Sequence, residues 1–309
     1  MKVYYNLSDF TPLKKAVVTS GTFDGVHLGH QKILQILRET TKASGGESVV
    51  LTFWPHPRMV VSQDSQGLKL LSTIDEKIEL LEQQGVNHLL IVPFTREFSE
   101  LSSEEYVQSI LLDTIGTKKL VIGYDHRFGR NREGGFEYLE QNADRFGIEL
   151  EEIPRQEIEN LVISSTQIRE SLQEGNIKAA NELLGRPYTF SGIVVKGRQL
   201  GRTIGFPTAN IQVAESYKLI PANGVYAVKA LVRGNRLNGI MNIGNRPTVD
   251  GIGRTQEVYI LDFSDDIYGE NVTVELVDYI RSEQKFNGLD ELKSQILKDK
   301  ETGIQILCS

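Results

Sequence analysis

The period of the apolar residues changes once along this chain, and that change constrains the fold more than any other feature of the sequence. From Ala16 to Ile153, short runs rich in Val, Ile and Leu alternate with segments of helical period. Ala16–Ser20, Ser48–Phe53, His88–Pro93, Leu120–Ile122 and Ile148–Ile153 read as strands. His30–Lys42, Asp75–Gln84, Glu104–Ile115 and Phe136–Phe146 read as helices between them. Such alternation predicts βαβ units and an α/β domain whose parallel sheet is covered on both faces. Ligands of such sheets sit at the carboxyl ends of the strands, so the loops after Ser20, Phe53 and Ile122 are the places to look.

After a helical pattern over Ile177–Leu184 and the turn Gly185-Arg186-Pro187, the period becomes that of strands. Thr189–Val195, Gly224–Val232, Leu237–Ile243, Gln256–Phe263 and Val272–Ile280 follow one another, with one late helix at Leu289–Lys298. Consecutive strands with turn residues between them predict a second domain built as an antiparallel β-barrel. The expected division is therefore 1–185 and 186–309, which suits a chain of 309 residues.

Composition narrows the partners. The net charge is −7, from 34 Lys and Arg against 41 Asp and Glu, which argues against sequence-blind nucleic-acid binding. The single cysteine, Cys308, rules out an intrachain disulfide and a thiolate metal cluster. The start MKVYYNLSDF has neither the basic nor the apolar stretch of a secretory leader, and no apolar run approaches the ~18–20 residues that span a bilayer. The expectation is a cytoplasmic protein with no nucleic-acid or membrane partner.

The first strand runs into Gly21-Thr22-Phe23-Asp24-Gly25-Val26-His27-Leu28-Gly29-His30, and a helix follows. Glycines let backbone approach a ligand, and a helix start offers unpaired N–H groups to an anion. Two histidines three apart can donate to charge developing on one phosphoryl oxygen. On residues alone, a zinc pair or a plain turn also fits. Farther on, Ser164, Ser165 and Thr166 place hydroxyls at a helix start with Arg169 one turn inside, which suits a triphosphate or is simply an N-cap. Gly123-Tyr124-Asp125-His126-Arg127-Phe128-Gly129 and Phe53-Trp54-Pro55-His56-Pro57 each follow a strand; the latter reads as a wall for a planar ring or as a rigid loop.

In the second half, Gly197, Arg198 and Arg202 lie in a glycine-laced loop that leads to Phe206-Pro207-Thr208-Ala209-Asn210. Cationic tips and backbone donors there can wrap a polyphosphate. The side-chain oxygens of Thr208 and Asn210 alternate onto one side and suit Mg²⁺ beside phosphate, while hairpin residues are the plainer reading. Asn242-Ile243-Gly244-Asn245-Arg246-Pro247-Thr248 and Glu257-Val258-Tyr259 come later, then Arg281 and Phe286. A strand carboxylate such as Glu257 is ordinarily solvent-facing, and a surface Arg and a core Phe account for Arg281 and Phe286.

Taken in order, these motifs resemble, over essentially the whole chain, the bacterial bifunctional riboflavin kinase/FAD synthetases. The decapeptide ending at His30 is similar to the nucleotidylyltransferase signature of their adenylyltransferase half, and Gly-Phe-Pro-Thr-Ala-Asn to the riboflavin kinase signature. The resemblance implies ATP as co-substrate, Mg²⁺ as metal, and riboflavin, FMN and FAD as the flavins handled. In the first half it implies catalysis by His27 and His30. ATP would be bound by Gly21, Phe23, Asp24, His27, Gly29, His30, Ser164, Ser165, Thr166 and Arg169. FMN would be bound by Phe53, Pro55, His56, Pro57, Asp125 and Phe128. In the second half it implies Glu257 as the base, and ATP held by Gly197, Arg202, Phe206, Pro207, Thr208 and Asn210. Thr208 and Asn210 would be the metal ligands there, with Glu257 and Arg281 at the flavin. The family usually carries Phe at His126 and His at Tyr259.

Overall fold

The computed structural model describes residues 1–62, 67–123, 126–153, 163–197, 200–248 and 251–308. They form two compact units, Met1–Ser165 and Thr166–Ser309.

The first unit is built on a six-stranded sheet: β1 (Lys2–Tyr4), β2 (Ala16–Ser20), β3 (Glu47–Trp54), β4 (His88–Pro93), β5 (Thr117–Gly123) and β6 (Glu149–Ile153). Their order is β1-β4-β3-β2-β5-β6, and each neighbouring pair is parallel. Both faces are covered, which is why apolar residues stand at consecutive positions. Val18, Val49, Leu51, Leu90 and Ile122 belong to one buried cluster. Val17, Val50, Leu89, Ile91 and Val121 belong to the other, with Leu34, Leu37 and Leu81 from two covering helices. The chain leaves β2 toward β3 on one side and later places β5 on its other side. The carboxyl ends of β2 and β5 therefore form the switch point of the sheet, where such folds open a crevice.

The expected strands and helices of this half are present with ends moved by a few residues. The helix after the histidine motif spans Leu28–Ser44, and a left-handed Gly45 stops it. The helix Ile74–Gln83 starts with a capping box between Thr73 and Glu76. Two features were not expected. β1 is too short and polar to announce itself, and the segment expected as a helix over Glu104–Ile115 is π-helical from Tyr106 to Ile115.

The second unit is a closed barrel of order β10-β11-β8-β7-β12-β9. Its strands are β7 (Tyr188–Val195), β8 (Ala209–Gln212), β9 (Gly224–Val232), β10 (Asn235–Thr248), β11 (Gly251–Ile260) and β12 (Asn271–Arg281), and its pairings are antiparallel. Phe190, Val194, Val228, Met241, Val258 and Val274 are fully buried at alternating positions. The helix Leu289–Cys308 is longer than the period suggested, and it packs on β9, β10 and β12. Helices Ser165–Gln173 and Ile177–Leu184 precede the barrel. Asn181 links to it by accepting from the Tyr188 N–H at 2.7 Å and donating to Leu276 O at 2.9 Å.

Candidate active sites in the two units

At the carboxyl end of β2 the chain makes a turn that few sequences tolerate. Phe23 and Val26 both adopt left-handed φ, 47° and 39°, yet both are buried. Such conformations cost roughly 1–3 kcal/mol each, so packing must hold them. The Asp24 carboxylate also holds the turn. It is 1 % exposed and accepts from Leu71 N at 2.9 Å, Ser72 N at 3.1 Å and the Ser72 hydroxyl. Its own backbone carbonyl accepts from Ser165 Oγ at 3.1 Å, so the second hydroxyl motif is tied directly to the first. Asp24 thus orders the loop through backbone donors.

His27 caps the following helix. Its Nδ1 accepts from His30 N at 3.4 Å, which leaves the proton of the neutral ring on Nε2. The His27 and His30 rings stack, with centroids 3.7 Å apart and planes 17° from parallel. Gly29 permits this, because a Cβ there would lie 3.3 Å from the His27 ring. Burial, then His27 and Lys77, hold the His30 imidazole well below its ordinary pKa, so it is neutral at pH 7. Its Nδ1 is buried and has no hydrogen-bond partner among the described residues. An orphaned ring nitrogen beside a strained turn is the mark of a site waiting for a polar group. Phe23 lies 5.0 Å from the His30 ring, and Gly21 continues the sheet by donating to Leu51 O at 3.0 Å.

Lys77 has no counterpart in the motifs read from sequence. It is 4 % exposed, and its Nζ donates to Thr22 O at 2.7 Å. Desolvation lowers its pKa to about 8 against the pull of Asp24. The sequence did hold a signal, since Lys77 stands in the stripe of Ile74, Ile78 and Leu81 where a helix of this period buries its side chains.

The other expected residues of this half lie around the strand ends. Phe53 packs edge-on against Phe94 at 5.6 Å, near the end of β3. Trp54-Pro55 is a cis peptide, and His56 caps the short helix that Pro57 begins. Phe128 is buried against Tyr106, whose hydroxyl shares a 2.9 Å hydrogen bond with Ser20 at the end of β2. The His126 ring lies tilted beside Phe128, with centroids 5.8 Å apart. Asp125 and Arg198 lie outside the described residues. Thr166 and Arg169 follow Ser165 on one helix, within the second unit, and Arg169 is nearly buried.

In the barrel, register assembles the site. Glu257 on β11 stands opposite Asn210 on β8 and opposite Asn242 on β10, so the three side chains share one face. The Thr208 hydroxyl, just before β8, donates to Glu257 Oε2 at 3.2 Å. Gly197 leaves room for the Asn210 amide, which a Cβ at 2.4 Å would force to move. Arg202, Pro207 and Thr208 line an open cleft of about 120 Å³ together with Asp265, Asp266 and Tyr268. Tyr259 lies on the face of Glu257 and packs edge-on against the buried Phe206 at 5.5 Å. Arg281 is clamped by Asp299, its Nε and Nη2 donating to the two carboxylate oxygens at 2.8 and 2.7 Å. Sequence reasoning gave no role to Asn242 or Asp299. Asn242 stands in the segment Asn242–Thr248 with no distinguishing pattern, and Asp299 lies beyond the expected helix end.

A donor set of a threonine hydroxyl, an asparagine carbonyl and a nearby carboxylate is all oxygen, which fits Mg²⁺. Among the described residues no cluster of three His, Cys, Asp or Glu side chains forms a metal site.

Comparison with known proteins identifies the family of both units. The FAD synthetase family model matches residues 10–167, and the riboflavin kinase model matches residues 184–307. The bifunctional riboflavin kinase/FMN adenylyltransferase of Listeria monocytogenes is 41 % identical over 95 % of this chain and 92 % of its own. The protein of that description from Escherichia coli is 40 % identical over 96 % and 94 %, and that from Bacillus subtilis 39 % over 94 % and 92 %. A crystal structure from Streptococcus pneumoniae, described as a macrolide-efflux protein, matches with a TM-score of 0.89 and 33 % identity over 97 % of both chains. Among the described residues of this chain, no helix is long and apolar enough to cross a membrane. Two family models in tandem and relatives covered nearly end to end lead to one statement: the chain belongs to the bifunctional riboflavin kinase/FMN adenylyltransferase family.

Proposed function

We propose that the protein makes FAD from riboflavin in two successive transfers from ATP. We assign FAD formation to residues 1–185 and FMN formation to residues 186–309. The observation that carries the reading is the presence of two separate constellations, His27/His30 at the sheet switch point and Thr208/Asn210/Glu257 on the barrel, each lying within the span of a different family model.

In the barrel, the ribityl 5′-hydroxyl of riboflavin attacks the γ-phosphate of ATP, and ADP leaves. Glu257 accepts the hydroxyl proton, while Gly197, Arg202, Phe206 and Pro207 hold the nucleotide. Thr208 and Asn210 would hold Mg²⁺, which supplies charge neutralisation at the transferring phosphoryl group. Arg281 works through its clamp to Asp299, which fixes the last helix against the strands beside the flavin.

In the α/β unit, a phosphate oxygen of FMN attacks the α-phosphate of ATP, and pyrophosphate leaves. His27 donates from Nε2 to the oxygen that gains charge, and neutral His30 donates beside it. No covalent intermediate is needed, because positioning and charge stabilisation supply the acceleration. Ser164, Ser165, Thr166 and Arg169 hold the leaving pyrophosphate; Phe53, Pro55, His56, Pro57, Asp125 and Phe128 hold FMN. ATP and riboflavin are met in the cytoplasm, where we place the protein.

The test is direct: incubate purified protein with riboflavin, ATP and Mg²⁺, and separate the flavins chromatographically. Accumulation of FMN followed by FAD is expected. FMN alone, FAD only from supplied FMN, or bound but unaltered riboflavin would each contradict the two-site reading.

A further inference from the structure

We propose that Lys77 is a positioning residue of the FAD-forming site: its buried ammonium pins the Thr22 carbonyl of the phosphate-binding turn and fixes a positive charge there for the phosphate chain of ATP. The inference rests on the reading of the first unit as FAD-forming.

Lys77 reaches the turn from the helix Ile74–Gln83, and its only hydrogen bond among the described residues goes to Thr22 O at 2.7 Å. A primary ammonium has three N–H groups, so two remain for an arriving anion. Burying such a group at 4 % exposure is expensive unless countercharge and acceptors compensate it. The groups whose charge acts with it are Asp24 on the turn and His30 on the following helix. Asp24 already accepts from Leu71 N, Ser72 N and the Ser72 hydroxyl. His30 cannot compensate a cation. Asp24 still supplies countercharge, but two N–H groups of Lys77 lack an acceptor among the described residues until an anion occupies the turn, and a nucleoside triphosphate supplies one.

Desolvation by burial depresses the ammonium to a pKa of about 8 in the free protein, against the pull of Asp24. Only the charged form can attract phosphate, so kcat/KM for ATP should fall as pH rises through that value, since kcat/KM reports the free enzyme. Arginine stays charged throughout.

The experiment measures FAD formation from supplied FMN, as kcat/KM for ATP, between about pH 6.5 and 9.5. It compares the full-length wild type with Lys77→Arg and Lys77→Met. FMN formation by the barrel and the far-UV CD spectrum report folding. The wild type should lose kcat/KM with a midpoint near pH 8. Lys77→Arg should retain measurable activity without that fall, and Lys77→Met should sit roughly 10- to 100-fold below wild type at pH 7. A Lys77→Met protein with wild-type kcat/KM overturns the inference, and so does a wild-type profile flat through pH 8. Wild-type protein that makes no FAD at all overturns the underlying reading of the unit.

Discussion

At the level of single residues, the histidine pair and Glu257 carry separable chemistry. His27→Ala removes a donor aimed at developing charge, and it should lower FAD formation about 100-fold or more while FMN formation persists. Assay of each product from its own substrate checks this. Glu257→Gln keeps the shape of the Thr208 contact and removes the base. FMN formation should fall about 100-fold, and FAD formation from supplied FMN should be unaffected. Much of this was legible in the sequence, because glycine, histidine and the Pro-Thr-Ala-Asn string are rare combinations whose order is informative. The burial of Lys77 was legible from its stripe, but the partners of Lys77 and Asp299 were not, for a physical reason. Each acts through a partner distant in sequence, Thr22 for one and Arg281 for the other, and one sequence does not show which charges a fold will bury together. Asp24 shows the complementary limit. Its place in the motif was plain, but its saturation by the Leu71 and Ser72 N–H groups appears only once the turn is folded.

At the scale of secondary-structure elements, long apolar periods were legible and short or edge elements were not. β2, β3 and β4 are buried on both faces, so their Val/Ile/Leu runs announce them. β1 has three residues and β8 four, too few for a period to show. The segment Tyr106–Ile115 is helical in composition, but a π-helix presents the same residue types as an α-helix. The last helix was expected to end near Lys298, yet it continues to Cys308 with Asp299 at its buried side. That buried carboxylate explains why the element stays attached. Asp299→Ala leaves the half-buried Arg281 guanidinium without its bidentate partner, and breaking such a pair costs about 3 kcal/mol. Chemical denaturation followed on the barrel should show that loss, and FMN formation should fall with it. FAD formation from supplied FMN should not change. An unchanged unfolding midpoint would place the attachment of the helix elsewhere, in the apolar contacts of Val225, Ile240 and Ile280.

At the scale of the whole molecule, the change of period near residue 185 foretold two architectures, and the structure has both a parallel sheet and a closed barrel. The compact units divide between Ser165 and Thr166, where a helix begins whose first hydroxyl bonds the Asp24 carbonyl. Two units with two constellations imply that FMN can leave one protein molecule and be adenylylated by another. Complementation between two variants therefore separates the two steps. His27→Ala and Glu257→Gln proteins are each given riboflavin, ATP and Mg²⁺, alone and mixed, and FAD is measured over time. Neither alone should produce appreciable FAD, whereas the mixture should, after FMN has built up in solution. A mixture as silent as its components, with each variant still performing its remaining single step, would contradict two independent sites joined by free FMN.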